Sequence, residues 1–126
     1  MTFLSLGHIN TSLLEKTFGK IPTSEIIVTE ERLAHIRERH LIDFKLFEQY
    51  AAKCVENPDY IIKDTKNPDT IFMIKKLPDT NLNVVSKLAL DTSRNRLKNS
   101  VMTFYRIRER NLKKLIAKNT LLYKKE

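Results

Sequence analysis

The stretch Leu82–Arg110, LNVVSKLALDTSRNRLKNSVMTFYRIRER, constrains the fold of this chain more than any other. Its apolar residues recur with the two-residue period of strands, whose side chains point alternately to opposite faces. Leu82–Leu90, rich in branched apolar residues and with Lys87 as its one charge, predicts one strand. Asn99–Ile107 predicts a second, with Val101, Thr103 and Tyr105 on one face and Ser100, Met102, Phe104 and Arg106 on the other. The DTSRNRLK segment between them has no helical period and carries three cations. Two antiparallel central strands then hold Lys, Thr, Tyr and Arg beside a basic connection, a combination suited to phosphate.

The rest of the chain supplies helices and further strands. Thr2–Leu6 predicts an edge strand, Leu13, Leu14 and Phe18 the buried side of a short helix ended by Gly19, and Glu25–Val28 another strand. Thr29 is a helix N-cap, followed by Glu30 and Glu31 where the helix dipole favours negative charge. On the helix ERLAHIRERH, Leu33, Ile36, Arg37 and His40 share one side, and Arg32, His35 and Arg39 the other. Asp43 caps the next helix, whose packing face is Phe44, Phe47, Tyr50, Ala51 and Cys54 and which Asn57-Pro58 stops. Tyr60–Lys63 and Thr70–Leu77 predict two more strands joined by a KNPD turn, and PDTN leads to Leu82. After Ile107 a helix turns Leu112, Leu115 and Ile116 inward and Arg110, Lys113, Lys114 and Lys118 outward; Thr120–Lys124 is a last strand or an ordered tail. The expected fold is α+β in one domain over residues 1–126: N-terminal helices packed on a four-stranded antiparallel sheet, with a C-terminal basic helix.

Charge is uneven along this sequence. Residues 1–60 hold 7 Lys/Arg against 9 Asp/Glu, a net of −2, while residues 61–126 hold 16 against 6, a net of +10. The C-terminal half therefore calls for a polyanionic partner, most simply nucleic acid. With two glycines in all, Gly7 and Gly19, no Gly-rich phosphate loop of the usual kind exists. No apolar run approaches the roughly 20 residues that cross a bilayer, so no membrane partner is expected. MTFLSLGHIN lacks the charged start of a signal peptide, and the single Cys54 suits a reducing compartment, so a cytoplasmic location is expected.

His35 and His40, five apart, lie about 140° apart on a helix and do not form a metal-binding pair. No HExxH pattern occurs either, and no metal or other cofactor is expected. Metal-independent RNA cleavage fits the residue types better. It needs a base at the ribose 2′-OH, an acid at the 5′-oxygen and fixed cations on the phosphate. Histidine carries protons near neutral pH, and arginine forks onto phosphate. The plainer reading makes His40 a core histidine and Arg37 and Arg39 solvated charges.

The segments TEERLAHIRERH, ENPDYIIKD, LALDTSRNRLKNSVMTFYRIRE and LLYKKE resemble the phage-associated barnase/EndoU/colicin/RelE-like nuclease domains, the BECR fold, from about residue 24 to 126. The resemblance implies helices on a four-stranded antiparallel sheet, metal-independent RNase activity, and a toxin or effector role in phages and mobile elements. It points to His35, Arg39 and His40 from the helix and to Ser100, Thr103, Arg106 and Arg108 from the strand motif. The expected site has His40, then His35, as proton carrier, with Thr103 and Arg106 catalytic. Arg37, Arg39, Lys87, Ser100, Tyr105 and Arg108 bind substrate in this reading. RNA is the expected substrate, and an acidic antitoxin or immunity protein over residues 94–118 a further partner. The alternative is a non-catalytic nucleic-acid-binding module or a structural protein of a mobile element.

Overall fold

A computed structural model describes residues 3–39, 41–90 and 98–126. His40 and most of the basic connection, residues 91–97, lie outside the described residues, so the expectations placed on them rest on sequence alone. Among the described residues the elements run β1 (Phe3–His8), α1 (Thr11–Phe18), β2 (Glu25–Thr29), α2 (Glu30–Arg39) and α3 (Leu41–Glu56). They continue as β3 (Tyr60–Lys63), β4 (Thr70–Lys76), β5 (Asn81–Lys87), β6 (Asn99–Ile107), α4 (Glu109–Lys118) and β7 (Thr120–Lys124).

The α+β class holds, but the sheet is not the expected four-stranded antiparallel one. It has seven strands in the order β1-β2-β6-β5-β4-β3-β7 and is mixed. The expected meander is present at its centre, since β3, β4, β5 and β6 pair antiparallel in sequence order. Two additions enlarge it. β2 pairs parallel with the start of β6, Ile26 with Asn99 and Ile27 with Ser100, and carries β1 antiparallel on its outer side. β7 pairs antiparallel with β3 at the opposite edge. The run Ile26, Ile27, Val28 is buried throughout, as a strand covered on both faces requires.

Each face of the sheet has its own core. On one, Leu14 of α1, Ile36 of α2 and Phe44, Phe47, Ala51, Cys54 and Val55 of α3 pack onto Ile61, Ile71, Met73, Leu82, Val84, Val101 and Phe104. Phe47 meets Phe104 edge to face at 4.9 Å between ring centroids. On the other, Leu112, Leu115 and Ile116 of α4 cover Ile62, Phe72, Ile74, Tyr105 and Ile107.

A bulge in β6 overturns the expected alternation. Val85 lies opposite Thr103 and Ser86 opposite Val101, so Met102 is an extra residue on β6. One inserted residue exchanges the faces of everything beyond it. Val101 therefore shares the α3 face with Phe104 and not with Thr103 and Tyr105. Two boundaries also move. The strand expected over 82–90 ends at Lys87, and α3 starts at Leu41, which places Asp43 inside its first turn and not at its cap.

Candidate active site

β6 and the helices flanking it position the candidate residues. Thr29 caps α2 as its sequence implies, its Oγ1 accepting from the Arg32 amide at 3.2 Å. Ile36 is buried in the core, and that fixes the roll of the helix. His35, Arg37 and Arg39 are all left exposed. His35 lines a groove of about 390 Å³ with Thr29, Arg32 and Glu38, and none of the candidate strand residues reaches that groove. The Arg37 guanidinium lies over the Phe44 ring of α3, 4.9 Å from its centroid.

Arg106 projects to the same side. Its Nε forms an ion pair with Asp43 Oδ1 at 2.6 Å, and its side chain keeps 49% of its exposure against 11% for Asp43. Two cations from separate elements, Arg37 of α2 and Arg106 of β6, are thus anchored on neighbouring residues of the first turn of α3. Nε is the guanidinium atom that faces Asp43 Oδ1 in this ion pair, and the planar guanidinium carries further donors in its fork. The helix dipole at this N-terminus also favours an anion. Arg39, at the end of α2, stands one residue before His40 in the chain.

The opposite face gathers the remaining strand residues. Lys87 lies opposite Ser100, Val85 opposite Thr103, and Asn83 opposite Tyr105. Residues directly opposite on antiparallel strands share a face, so Lys87, Ser100, Thr103 and Tyr105 form one strip. Arg106 is on the other face, and the sheet therefore separates it from Thr103. Arg108 precedes α4 as its N-cap residue, exposed and without a side-chain capping bond.

Two grooves meet at the end of β6. One, of about 360 Å³, runs between β6 and α4 and is lined by Tyr105, Arg106, Asn111, Lys114 and Lys118. The other, of about 390 Å³, runs between α3 and the β4–β5 turn and is lined by Leu46, Gln49, Tyr50, Pro78, Thr80 and Arg106. Arg106 lines both.

The sequence reading missed the roles of several buried polar residues. Asp43 is the anchor of Arg106. Asn99, fully buried, accepts from the Ala89 amide through Oδ1 and donates through Nδ2 to the Thr23 and Glu25 carbonyls. Asn83, also fully buried, donates from Nδ2 to the Tyr105 hydroxyl at 3.0 Å. Asn83 Oδ1 and Ser86 Oγ are buried with no hydrogen-bond partner among the described residues, at a cost of about 1–3 kcal/mol each. The available signal was polar residues inside β5, a strand otherwise too apolar to need them. Burial pushes the Cys54 thiol up to about 12, and its Sγ donates to the Met73 carbonyl at 3.1 Å, so it is a core residue and not a nucleophile. Among the described residues no three of His, Cys, Asp and Glu converge to hold a metal ion, and no helix is long and apolar enough to cross a membrane.

A mixed sheet thus carries Arg106, paired with Asp43, at one strand end and Lys114 and Lys118 along a flanking groove. Comparison with protein families gives the class of protein. The chain belongs to the phage-Barnase-EndoU-ColicinE5/D-RelE like nuclease 3 family, whose model matches residues 5–114. It is a nuclease of the BECR type. The match starts earlier than the resemblance read from sequence and stops within α4, so the LLYKKE block forming most of β7 lies outside it. No curated protein and no solved structure matches the chain.

Proposed function

We propose that this nuclease is an endoribonuclease that needs no metal ion and cuts a single RNA strand laid over the end of β6. The carrying observation is the place of Arg106, braced by Asp43 at 2.6 Å and lining the grooves on both sides of the strand. A cation held so rigidly loses little freedom on meeting phosphate, which is how a fixed charge favours the transition state over free substrate.

In this mechanism the ribose 2′-oxygen attacks phosphorus and the bond to the 5′-oxygen breaks, leaving a 2′,3′-cyclic phosphate and a 5′-hydroxyl. A histidine takes the 2′-OH proton, and the leaving oxygen gains one from a second acid. His40 is the first candidate for proton transfer, from its sequence position beside Arg39, and His35 on exposed α2 the second. Arg39, Arg106 and Arg108 hold the phosphate while Arg37 stiffens the α2–α3 corner. Lys87, Ser100, Thr103 and Tyr105 contact the flanking strand from the other face. Thr103 is assigned to substrate binding because the sheet lies between it and Arg106. A toxin or effector role, with an acidic antitoxin or immunity protein over the basic α4, is the biological setting proposed for this activity.

Incubating the protein with total RNA in EDTA tests the reading. Discrete fragments ending in cyclic phosphate are expected. Salt-sensitive binding without cleavage would instead make the protein a binding module, and cleavage restored only by a divalent ion would overturn metal independence.

A further inference from the structure

We infer that the groove between β6 and α4 is a second phosphate subsite, in which buried Asn83 holds the Tyr105 hydroxyl as a donor to a phosphate flanking the cleaved one. The subsite rests on the reading of this protein as acting on a nucleic-acid strand, and extends it.

Asn83 occupies the middle of the sheet, fully buried, with Ile74 and Tyr105 opposite it on the neighbouring strands. A branched aliphatic residue would fill this place without stranding a carbonyl oxygen, yet Oδ1 of Asn83 has no partner among the described residues. Its one side-chain hydrogen bond runs from Nδ2 to the Tyr105 hydroxyl at 3.0 Å. A phenolic oxygen has one proton to give and lone pairs to receive with. With the Asn83 amide on a lone pair, that proton is directed elsewhere, and the hydroxyl donates to no described residue. Tyr105 opens onto the groove lined by Asn111, Lys114 and Lys118. Ammonium groups only donate, so neither lysine can take the phenolic proton. An anionic oxygen can accept from Tyr105, Lys114 and Lys118 together, and phosphate offers several such oxygens. Arg106 lines the same groove, while its guanidinium is paired with Asp43 on the other face of the sheet.

The test is fluorescence anisotropy with two labelled probes of one sequence, a 2′-O-methyl RNA that cannot undergo 2′-OH attack and a single-stranded DNA. Tyr105→Phe and Asn83→Leu should each weaken binding of the RNA probe by about tenfold, the loss of one hydrogen bond to a charged oxygen. The double variant should bind no more weakly than Tyr105→Phe, because Asn83 acts only through the hydroxyl. Thermal denaturation should place Asn83→Leu at or above the parent, since it removes an unsatisfied buried acceptor, whereas a merely structural asparagine would lower it. Asn83→Ser, too short to reach the hydroxyl, is the second variant should leucine not fit, and must show the same loss. Parental affinity in folded Tyr105→Phe overturns the subsite. Parental affinity in folded Asn83→Leu or Asn83→Ser, or losses that multiply in the double variant, overturn the positioning role. A parent that binds neither probe overturns the nucleic-acid reading along with the subsite, while a binding parent with indifferent variants overturns the subsite alone.

Discussion

Two single residues carry structural demands that solution measurements can isolate. The Cys54 thiol is pushed up to about 12 from its ordinary 9.0, chiefly by burial. An acid whose folded value is raised stabilises the fold fully below its unfolded value and loses that contribution as pH climbs towards the folded one. The urea midpoint should therefore fall with pH above about 9, and more steeply in the parent than in Cys54→Ala. Equal slopes would show that the thiol is not shielded. Gly7 has φ of +104°, and a Cβ there would press on the Glu56 carboxylate. Gly7→Ala should cost about 1–2 kcal/mol from the backbone alone, with the contact adding to it. An unchanged urea midpoint would contradict the positive φ. The burial of Cys54 was legible from its place on the α3 packing face, whereas nothing in the sequence marks the positive φ at Gly7.

Elements show where sequence reading works and where it stops. Thr29, Glu30 and Glu31 announced α2 because capping is local, and KNPD and PDTN announced turns for the same reason. The β3–β6 meander was legible because each strand pairs with its successor. Pairing of β2 with β6 was not, since three β-branched residues fit any buried strand and name no partner. The bulge at Met102 was equally silent, because Val101, Thr103 and Tyr105 continue a regular alternation on paper while the inserted residue divides them between faces. So the strand holding Thr103 and Arg106 was found, and their opposite facing with it, but not that Val101 and Ser100 lie on the faces opposite to those expected. Asn99 joins these elements, linking β6 to the segments at Ala89 and at Thr23–Glu25. Asn99→Ala should lower stability by about 3 kcal/mol or more, since it deprives several buried backbone groups of partners. A chemical denaturation shift below about 1 kcal/mol would mean these groups find others. At α4, replacing Lys113, Lys114 and Lys118 by Glu should leave the fold intact, because all three are exposed. It should weaken RNA binding and flatten its dependence on salt. An unaltered salt slope would remove α4 from the binding surface.

At the scale of the whole molecule, the charge division along the chain becomes a division of labour. The N-terminal part, net −2 over residues 1–60, supplies α2, α3 and the braces Asp43 and Phe44. The part with net +10, residues 61–126, supplies Arg106, Arg108 and the cations of α4. The nuclease class was legible from residue types and ordered blocks. The join between the two parts was not, because the Arg106–Asp43 pair connects positions that only the folded sheet brings together. That pair carries the central claim. The most direct test is single-turnover cleavage of a single-stranded RNA in EDTA by the parent and by Arg106→Ala, at a temperature where denaturation curves show both folded. The rate should fall by about 100-fold or more in Arg106→Ala, as for loss of a transition-state donor. A folded Arg106→Ala protein that cleaves at the parental rate would contradict the account.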